Sequence, residues 1–173
     1  IPARGGSKRI PHKNIREFLG IPIIAYPIKK ALSSKLFSRV IVSTDDLEIA
    51  RIAENYGAEV DLRPSSLSDD YTTLGDVMRY EAKRLPADDS QVCFILATAV
   101  FFSVSDLLKG KALLERPGTL YSLPSQRFPA PIERAYILNE SQQTRMLDPS
   151  KYSTRSQDCV VSYYDSGQFY WGT

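Results

Sequence analysis

Between Val40 and Leu123 the apolar positions fall into short blocks that alternate between strand-like runs and a period near 3.6 residues. Val40-Ile41-Val42-Ser43 is a β-branched run that predicts a strand, and Ser43-Thr44-Asp45-Asp46 ends it with residues suited to capping a helix. Leu47, Ile49, Ile52, Ala53 and Tyr56 then recur at helical spacing, and Gly57 supplies the C-terminal stop. Glu59-Val60-Asp61-Leu62 predicts a short strand closed by Pro64. The spacing predicts a helix over 72–83 ahead of Pro86, a fully buried strand over 92–96, a helix over 105–114 and a strand over 119–123.

Strands alternating with helices at short spacing predict an α/β fold: a Rossmann-like, mostly parallel sheet flanked by helices. Such sheets bind ligands beyond the carboxyl ends of their strands. The opening loop, Ser43 to Asp46 and Ala97 to Ala99 all fall at those ends, so the pattern directs them to one crevice. From Ser125 the texture changes. Phe128-Pro129-Ala130-Pro131 suits neither a central strand nor a helix. Ala135-Tyr136-Ile137-Leu138 and Thr144-Arg145-Met146-Leu147, split by Asn139 to Gln143, predict a hairpin. Residues 125–160 therefore read as an excursion from a single domain spanning 1–173, and Gln168-Phe169-Tyr170-Trp171 as a strand. A parallel-sheet protein would carry several apolar residues of a first strand ahead of Ile1, and the chain stops two residues after Trp171, so both ends are expected to be truncated.

The composition narrows the classes. With 22 basic and 20 acidic residues the net charge is +2, too little for a general nucleic-acid surface. No apolar run approaches the roughly 20 residues of a membrane helix. Cys93 and Cys159 make no disulfide framework, and a reducing cytoplasm suits both. A single histidine, His12, beside Pro11, excludes a Ser/His/Asp or Cys/His constellation built on any other histidine.

The densest basic stretch is the start, Ile1-Pro2-Ala3-Arg4-Gly5-Gly6-Ser7-Lys8-Arg9-Ile10-Pro11. Adjacent glycines let the backbone turn sharply, and successive amides in such a turn form an anion-binding nest. Arg4, Lys8 and Arg9 surround it with positive charge, which suits a triphosphate. The spacing is not that of a Walker A loop.

This opening, continued by Lys13-Asn14-Ile15, resembles the nucleotide-binding signature of the cytidylyltransferases that activate acidic sugars as CMP-sugars. The resemblance extends over Val42 to Asp46, Gly57 to Val60, Leu62-Arg63-Pro64, Leu96-Ala97-Thr98-Ala99, Thr154 to Asp158 and Asp165 to Gly172, essentially the whole chain. The last two motifs are most similar to the branch that activates pseudaminic acid. Two positions depart from the pattern. Val100 stands where the family usually carries a proline before its aromatic, and Leu96 stands where sialic-acid enzymes tend to have Gln and pseudaminic enzymes Tyr.

The resemblance implies CTP and a nine-carbon acidic sugar as substrates, Mg²⁺ as cofactor, a homodimer formed through residues 125–160, and a cytoplasmic enzyme serving surface or flagellar glycans. Arg4 and Lys8 are the expected catalytic cations, holding the phosphates and stabilising charge on departing pyrophosphate. Ala3, Gly5, Gly6 and Ser7 form the expected phosphate cradle, with Ala97 and Thr98 also against the nucleotide. Arg63 is the candidate base reader: its fork matches the two acceptors of cytosine, whereas uracil presents an N–H. Its alternative is an Arg flanking a turn at Pro64. Asn14 reads the base or ribose, or caps the following helix; Thr72 and Thr73 reach the ribose or base, or start their own helix. Leu96, Arg155 and Gln157 are the candidate sugar contacts, with Arg155 for the carboxylate and a polar surface turn as its alternative. The pairs Asp45-Asp46 and Asp69-Asp70 suit Mg²⁺ or helix capping, and Asp165 is the candidate metal ligand nearest the end of the chain. Rival readings are a catalytically inactive nucleotide-binding module and a glycosyltransferase on a similar core.

Overall fold

The structure, a computed structural model, describes residues 1–69, 71–84 and 91–173. Asp70 and Pro86, both singled out by the sequence, lie outside these residues. Two compact units emerge: residues 1–124 with 167–173, and Ser125–Ser166.

In the first unit, β1 (Glu17–Phe18) and β2 (Ile21–Pro22) form a small hairpin turned at Leu19 and Gly20, both at positive φ. Helix α1 (Ala25–Ser34) buries Ala25, Ile28 and Ala31, with Ile24 just before it, along one stripe. The predicted strand and helix follow as β3 (Ile41–Thr44) and α2 (Leu47–Asn55). Gly57 turns the chain at φ 88°, where only glycine is unstrained. β4 (Glu59–Leu62) pairs parallel with β3, and the opening segment also joins β3: Ala3 N donates to Ser43 O at 2.8 Å and Ser43 N to Ile1 O at 3.1 Å. One core lies here, with Ile24, Ile28, Val42, Ile49 and Ala53 all fully or almost fully buried.

Helix α3 (Leu74–Ala82), strand β5 (Val92–Ile95) and helix α4 (Val104–Leu114) match the predicted blocks, while the strand expected over 119–123 shrinks to β6 (Tyr121–Ser122). The expectation of a mostly parallel sheet needs correction. The last strand of the first unit runs antiparallel between β5 and β6, so the strand pairing is mixed. The reason is topological: that strand comes back after an excursion of more than forty residues and not through a helical crossover, and only a crossover enforces parallel pairing.

The excursion is the second unit. β7 (Ser125–Arg127) and β10 (Tyr163–Asp165) form an antiparallel ribbon, and β8 (Tyr136–Leu138) and β9 (Thr144–Met146) form the predicted hairpin. Asn139 closes that hairpin by accepting the Gln143 amide at 2.8 Å. Arg134 donates to Thr154 O inside the same unit. Met146 is its one buried hydrophobic residue among the described positions.

The returning strand is β11 (Phe169–Gly172). Phe169 and Trp171 anchor the second core of the first unit, with Ile95, Phe102, Leu107 and Leu114. Trp171 stacks on Phe37 at 5.2 Å and donates its indole N–H to Leu107 O at 3.2 Å, so its one polar atom is satisfied. Burial pushes the pKa of the Cys93 thiol, on β5, up to about 12, so it stays neutral, as its apolar neighbours in sequence suggest.

Gly110 sits inside α4 against this tryptophan. A Cβ there would meet Trp171 Cδ1 at 2.8 Å and Phe169 Cε2 at 3.0 Å. Gly110→Ala would gain about 1 kcal/mol of helix propensity. Overpacking against two fixed rings costs about 1–3 kcal/mol, so the variant is expected to be less stable, contrary to propensity. Urea unfolding monitored by Trp171 fluorescence checks this; an unchanged or higher midpoint refutes it.

Thr73 and Ser103 cap α3 and α4 through reciprocal bonds with Asp76 and Asp106. The hydroxyls donate at 2.6 and 2.7 Å, and with the backbone amides they hold both carboxyls below their ordinary range. A depressed carboxyl contributes its full stabilisation above its unfolded value, about 4, and loses it as pH falls through the folded value. Amide exchange in the first turns of α3 and α4 should therefore stay slow near neutrality and rise in acid below about pH 4. Asp76→Asn with Asp106→Asn should flatten that rise; an identical acid profile in the double variant would contradict the capping account.

Candidate functional site

The carboxyl end of β3 organises the site. Thr44 is fully buried; its hydroxyl accepts the Asp46 amide at 3.1 Å and its carbonyl accepts the Arg63 amide at 2.9 Å. Asp46 caps α2 by accepting the amides of Glu48 and Ile49 at 2.8 and 3.1 Å, which is the capping role expected for it. Asp45 points elsewhere, and its carboxylate accepts the Gly5 amide at 3.1 Å. An anionic acceptor thus stands on the first amide of the glycine turn. A Cβ on Gly5 would lie 2.4 Å from Asp46 Oδ2, so the turn can approach the cap only as glycine. The Ser7 amide closes back on Gly5 O at 2.8 Å.

Beside this end opens a cleft of about 310 Å³. It brings together Arg4, Asn14, Arg63, Thr72, Thr73, Leu96, Ala97 and Thr98 from five separate stretches of sequence. Ala3 is buried beneath it, and Lys8 is exposed further along the loop. A second cavity, about 210 Å³ between β3, β5 and the start of the chain, is lined by Phe37, Val40, Ile41 and Val92 to Ile95 and contains none of the expected site residues.

Arg63 is 6% exposed. Its Nε donates to Ser68 Oγ at 2.9 Å and Nη1 approaches Ser43 O at 3.5 Å. Burial lowers its pKa from the ordinary arginine value, while the charges of Asp45 and Glu81 oppose that shift. A buried guanidinium on a cleft wall is a costly group to place and therefore a specific one. Asn14 is buried in a 3-10 turn and its Nδ2 donates to Arg4 O at 2.9 Å. Its helix-capping alternative is overturned, because α1 begins only at Ala25 and Ile24 occupies its cap.

The far wall is a loop held by its own side chains. Asp69 Oδ1 accepts the Tyr71 and Thr72 amides and the Thr72 hydroxyl, at 3.1, 2.7 and 2.6 Å. The Thr73 hydroxyl is engaged with Asp76 in the α3 cap. Thr73 thus takes the helix-starting role that the sequence left open, whereas Thr72 is held by Asp69 in the preceding loop and does not cap the helix. Arg4 Nη1 donates to Asp69 O at 2.7 Å and ties this loop to the opening segment. Leu67, Leu74 and Val77 complete the wall. Sequence reasoning missed them because an apolar residue on a helix reads first as core. Their signal was position: each lies within five residues of Thr72 or Thr73.

The remaining expected residues belong to the second unit. Arg155 Nε is paired with Asp158 Oδ2 at 2.7 Å, and Gln157 lies in the 3-10 turn that follows. Asp165 ends β10 opposite Ser125. Among the described residues no group of three or more His, Cys, Asp or Glu side chains gathers as a metal site.

The sequence profile described as Cytidylyltransferase matches residues 1–122. Across 100% of this chain and 76% of the relative's length, the chain is 41% identical to the pseudaminic acid cytidylyltransferase of Campylobacter jejuni subsp. jejuni serotype O:2. It is 31% identical to the N-acylneuraminate cytidylyltransferase of Escherichia coli O18:K1:H7, over 98% of this chain and 40% of that protein. The solved structure of CMP:2-keto-3-deoxy-manno-octonic acid synthetase complexed with CTP superposes with a TM-score of 0.74 at 17% identity, covering 99% of this chain and 71% of that one. That likeness establishes an α/β nucleotidyltransferase fold, and the profile with the full-length relatives establishes the lineage. The chain belongs to the cytidylyltransferase family.

Proposed function

We propose that this protein transfers CMP from CTP to a nonulosonic acid of the pseudaminic or sialic type. The observation that carries the reading is the buried Arg63 guanidinium on the wall of a cleft that also contains Arg4 of the glycine turn. In the reaction the anomeric hydroxyl oxygen of the sugar bonds to the α-phosphorus. The bond from that phosphorus to the bridging oxygen breaks, pyrophosphate leaves with the electron pair, and the hydroxyl proton passes to solvent. The protein's part is orientation and charge stabilisation.

Arg4 and Lys8 are assigned to the phosphates, with Gly5, Gly6 and Ser7 as the cradle. The sharp glycine turn beside Arg4 supports that assignment; the Gly5 amide is held by the Asp45 carboxylate and must exchange that partner for phosphate. Arg63 is assigned to the O2 and N3 edge of cytosine, Asn14 to holding Arg4, and Leu96 with Arg155 and Gln157 to the sugar. Mg²⁺ is assigned as a companion of CTP, since magnesium is commonly held by phosphates and water with one or two carboxylates. Asp69 is the one carboxylate among the described cleft residues, with three protein donors on its Oδ1, so those residues offer a metal a single carboxylate and the phosphates of CTP would supply the other ligands. Among the described residues no helix is long and apolar enough to cross a membrane. A cytoplasmic site of action is assigned from the CTP substrate alone.

The test is pyrophosphate release from CTP, Mg²⁺ and a nonulosonic acid. Arg63→Ala removes two charge-assisted bonds to the base, and is expected to raise KM for CTP roughly 10–100-fold while narrowing the CTP-over-UTP preference. Equal losses for the two nucleotides would remove Arg63 from base reading, and no pyrophosphate release by the unaltered protein would refute the function.

The homodimer is proposed through the second unit. Tyr152 and Val160 are 77% and 71% exposed there, and Tyr136, Leu138 and Tyr163 are exposed as well. Paired two-stranded ribbons with so little buried apolar area are marginal alone, and a two-fold partner is the commonest remedy. Sedimentation is expected to show a dimer; a concentration-independent monomer would refute it. In mixed dimers of Arg155→Ala and Arg4→Ala subunits, regained activity is expected if one sugar site draws on both chains.

A further inference from the structure

The segment after β5 has no strand or helix to satisfy its backbone, and two residues from remote parts of the chain do so. Lys30, on α1, donates its ammonium to Val100 O at 2.7 Å and to Phe102 O at 2.6 Å, and lies 4.8 Å from the centroid of the Phe102 ring. Gln168, just before β11, accepts the Leu96 amide on its carbonyl at 3.0 Å and the Phe101 amide on Oε1 at 3.1 Å. Between these two anchors the Ala99 amide closes a turn onto Leu96 O at 2.9 Å. The segment so tied carries Leu96, Ala97 and Thr98, one wall of the cleft.

An ammonium bound to two carbonyls differs from an ordinary surface lysine. A surface lysine extends its charge into water. Here the side chain is turned along the protein and its cation is partly desolvated: burial lowers its pKa, and the nearby Asp106 charge opposes that shift. Charge-assisted bonds are the strong class, and these join positions 70 and 72 residues apart in sequence. The lysine also stands beside Val100, the position where the related motif carries a proline whose ring fixes its own backbone angle. In this chain the same loop is restrained from outside, by a cation on the carbonyl of that residue.

We propose that Lys30 is a positioning residue of the cleft: by clamping the carbonyls of Val100 and Phe102 it holds Leu96, Ala97 and Thr98 in the geometry that receives the nucleotide and the acidic sugar. The proposal rests on the functional reading above for what the cleft binds, and on the geometry alone for the clamp.

Lys30→Met keeps the length and apolar stem of the side chain and removes its donors. Two readouts separate the clamp from the function. Amide exchange at Ala99 and Phe101 is expected to quicken by about tenfold or more, the scale of losing a charge-assisted bond, with exchange in α2 and β3 unchanged. KM for CTP and for the sugar should rise about tenfold with kcat within about twofold, the pattern of lost ground-state and transition-state binding alike. Lys29→Met, one residue away and exposed, should change neither. Adding Val100→Pro to Lys30→Met should recover part of the affinity by restoring rigidity within the loop.

Unchanged exchange at Ala99 and Phe101 overturns the clamp. Faster local exchange with unchanged KM overturns its role in binding. Faster exchange throughout the first unit, with a fall in kcat matching the rise in KM, reduces Lys30 to general stability and also overturns the proposal. If the unaltered protein neither binds nor turns over CTP, the functional reading fails, and the exchange experiment still decides the clamp.

Discussion

The parallel pairing of the opening segment with β3 is the constraint from which the site follows. Ser43 donates to Ile1 O and accepts from Ala3 N, and this places Arg4 and the glycine turn immediately past the end of the strand. Thr44, Asp45 and Asp46 then each fix a different neighbour: the Arg63 backbone, the Gly5 amide and the first turn of α2. Four consecutive residues therefore set the relative positions of the phosphate-type turn, the buried arginine and a helix. Ser43 and Thr44 make these bonds through their backbone, and Asp45 and Asp46 through carboxylates that accept backbone amides, so the sequence restriction falls on the two aspartates. A shift of register by one residue would move every partner at once.

Arg63 illustrates how much such a frame must withstand. Desolvating a guanidinium is unfavourable unless the surroundings return hydrogen bonds and charge. Here the returns are modest: one hydroxyl, one distant carbonyl, and the fields of Asp45 and Glu81. No Arg63 nitrogen is left both buried and unpartnered, because the guanidinium faces the cleft. The same carboxylate, Asp45, acts on both Gly5 and Arg63, so the glycine turn and the buried arginine are electrostatically linked within the protein itself.

The sequence disclosed the parts of the fold whose period is local. α2 is set by Leu47, Ile49, Ala53 and a capping Asp46, β4 by the alternation Glu59-Val60-Asp61-Leu62 closed by Pro64, and β5 by a compact apolar run; all three lie within a residue or two of the bounds their patterns predict. The direction of β11 was not legible, because parallel or antiparallel pairing depends on the path of residues 125–166 and leaves no mark on Phe169-Tyr170-Trp171. Within the site, charged and glycine-rich positions announced themselves. Asn14, Thr72 and Thr73 did not reveal their bonds, since one side chain can serve a ligand or its own backbone, and only the folded chain shows Asn14 on Arg4 O and Thr73 in a capping box. Lys30 was invisible for a simpler reason: its partners are backbone carbonyls, which have no signature in sequence.

The dependence of the cleft on distant residues also bears on how it forms. The β3 side needs contacts of about 40 residues' separation, between the opening segment, Asp45 and β3. The β5 side needs Gln168, which holds the Phe101 amide across 67 residues, and the antiparallel pairing of β11. Closing a longer loop costs more entropy, though only as the logarithm of its length, and in this chain the longer closure must also await the whole excursion. The first wall of the cleft rests on the parallel β3–β4 frame, whereas the second rests on β11 lying beside β5. Trp171 and Phe169 favour that pairing by filling the second core, so the same strand also brings much of the apolar surface that α4 requires. Shaping of the site by Gln168 is thus coupled to core formation by Phe169 and Trp171 through simple adjacency in the chain.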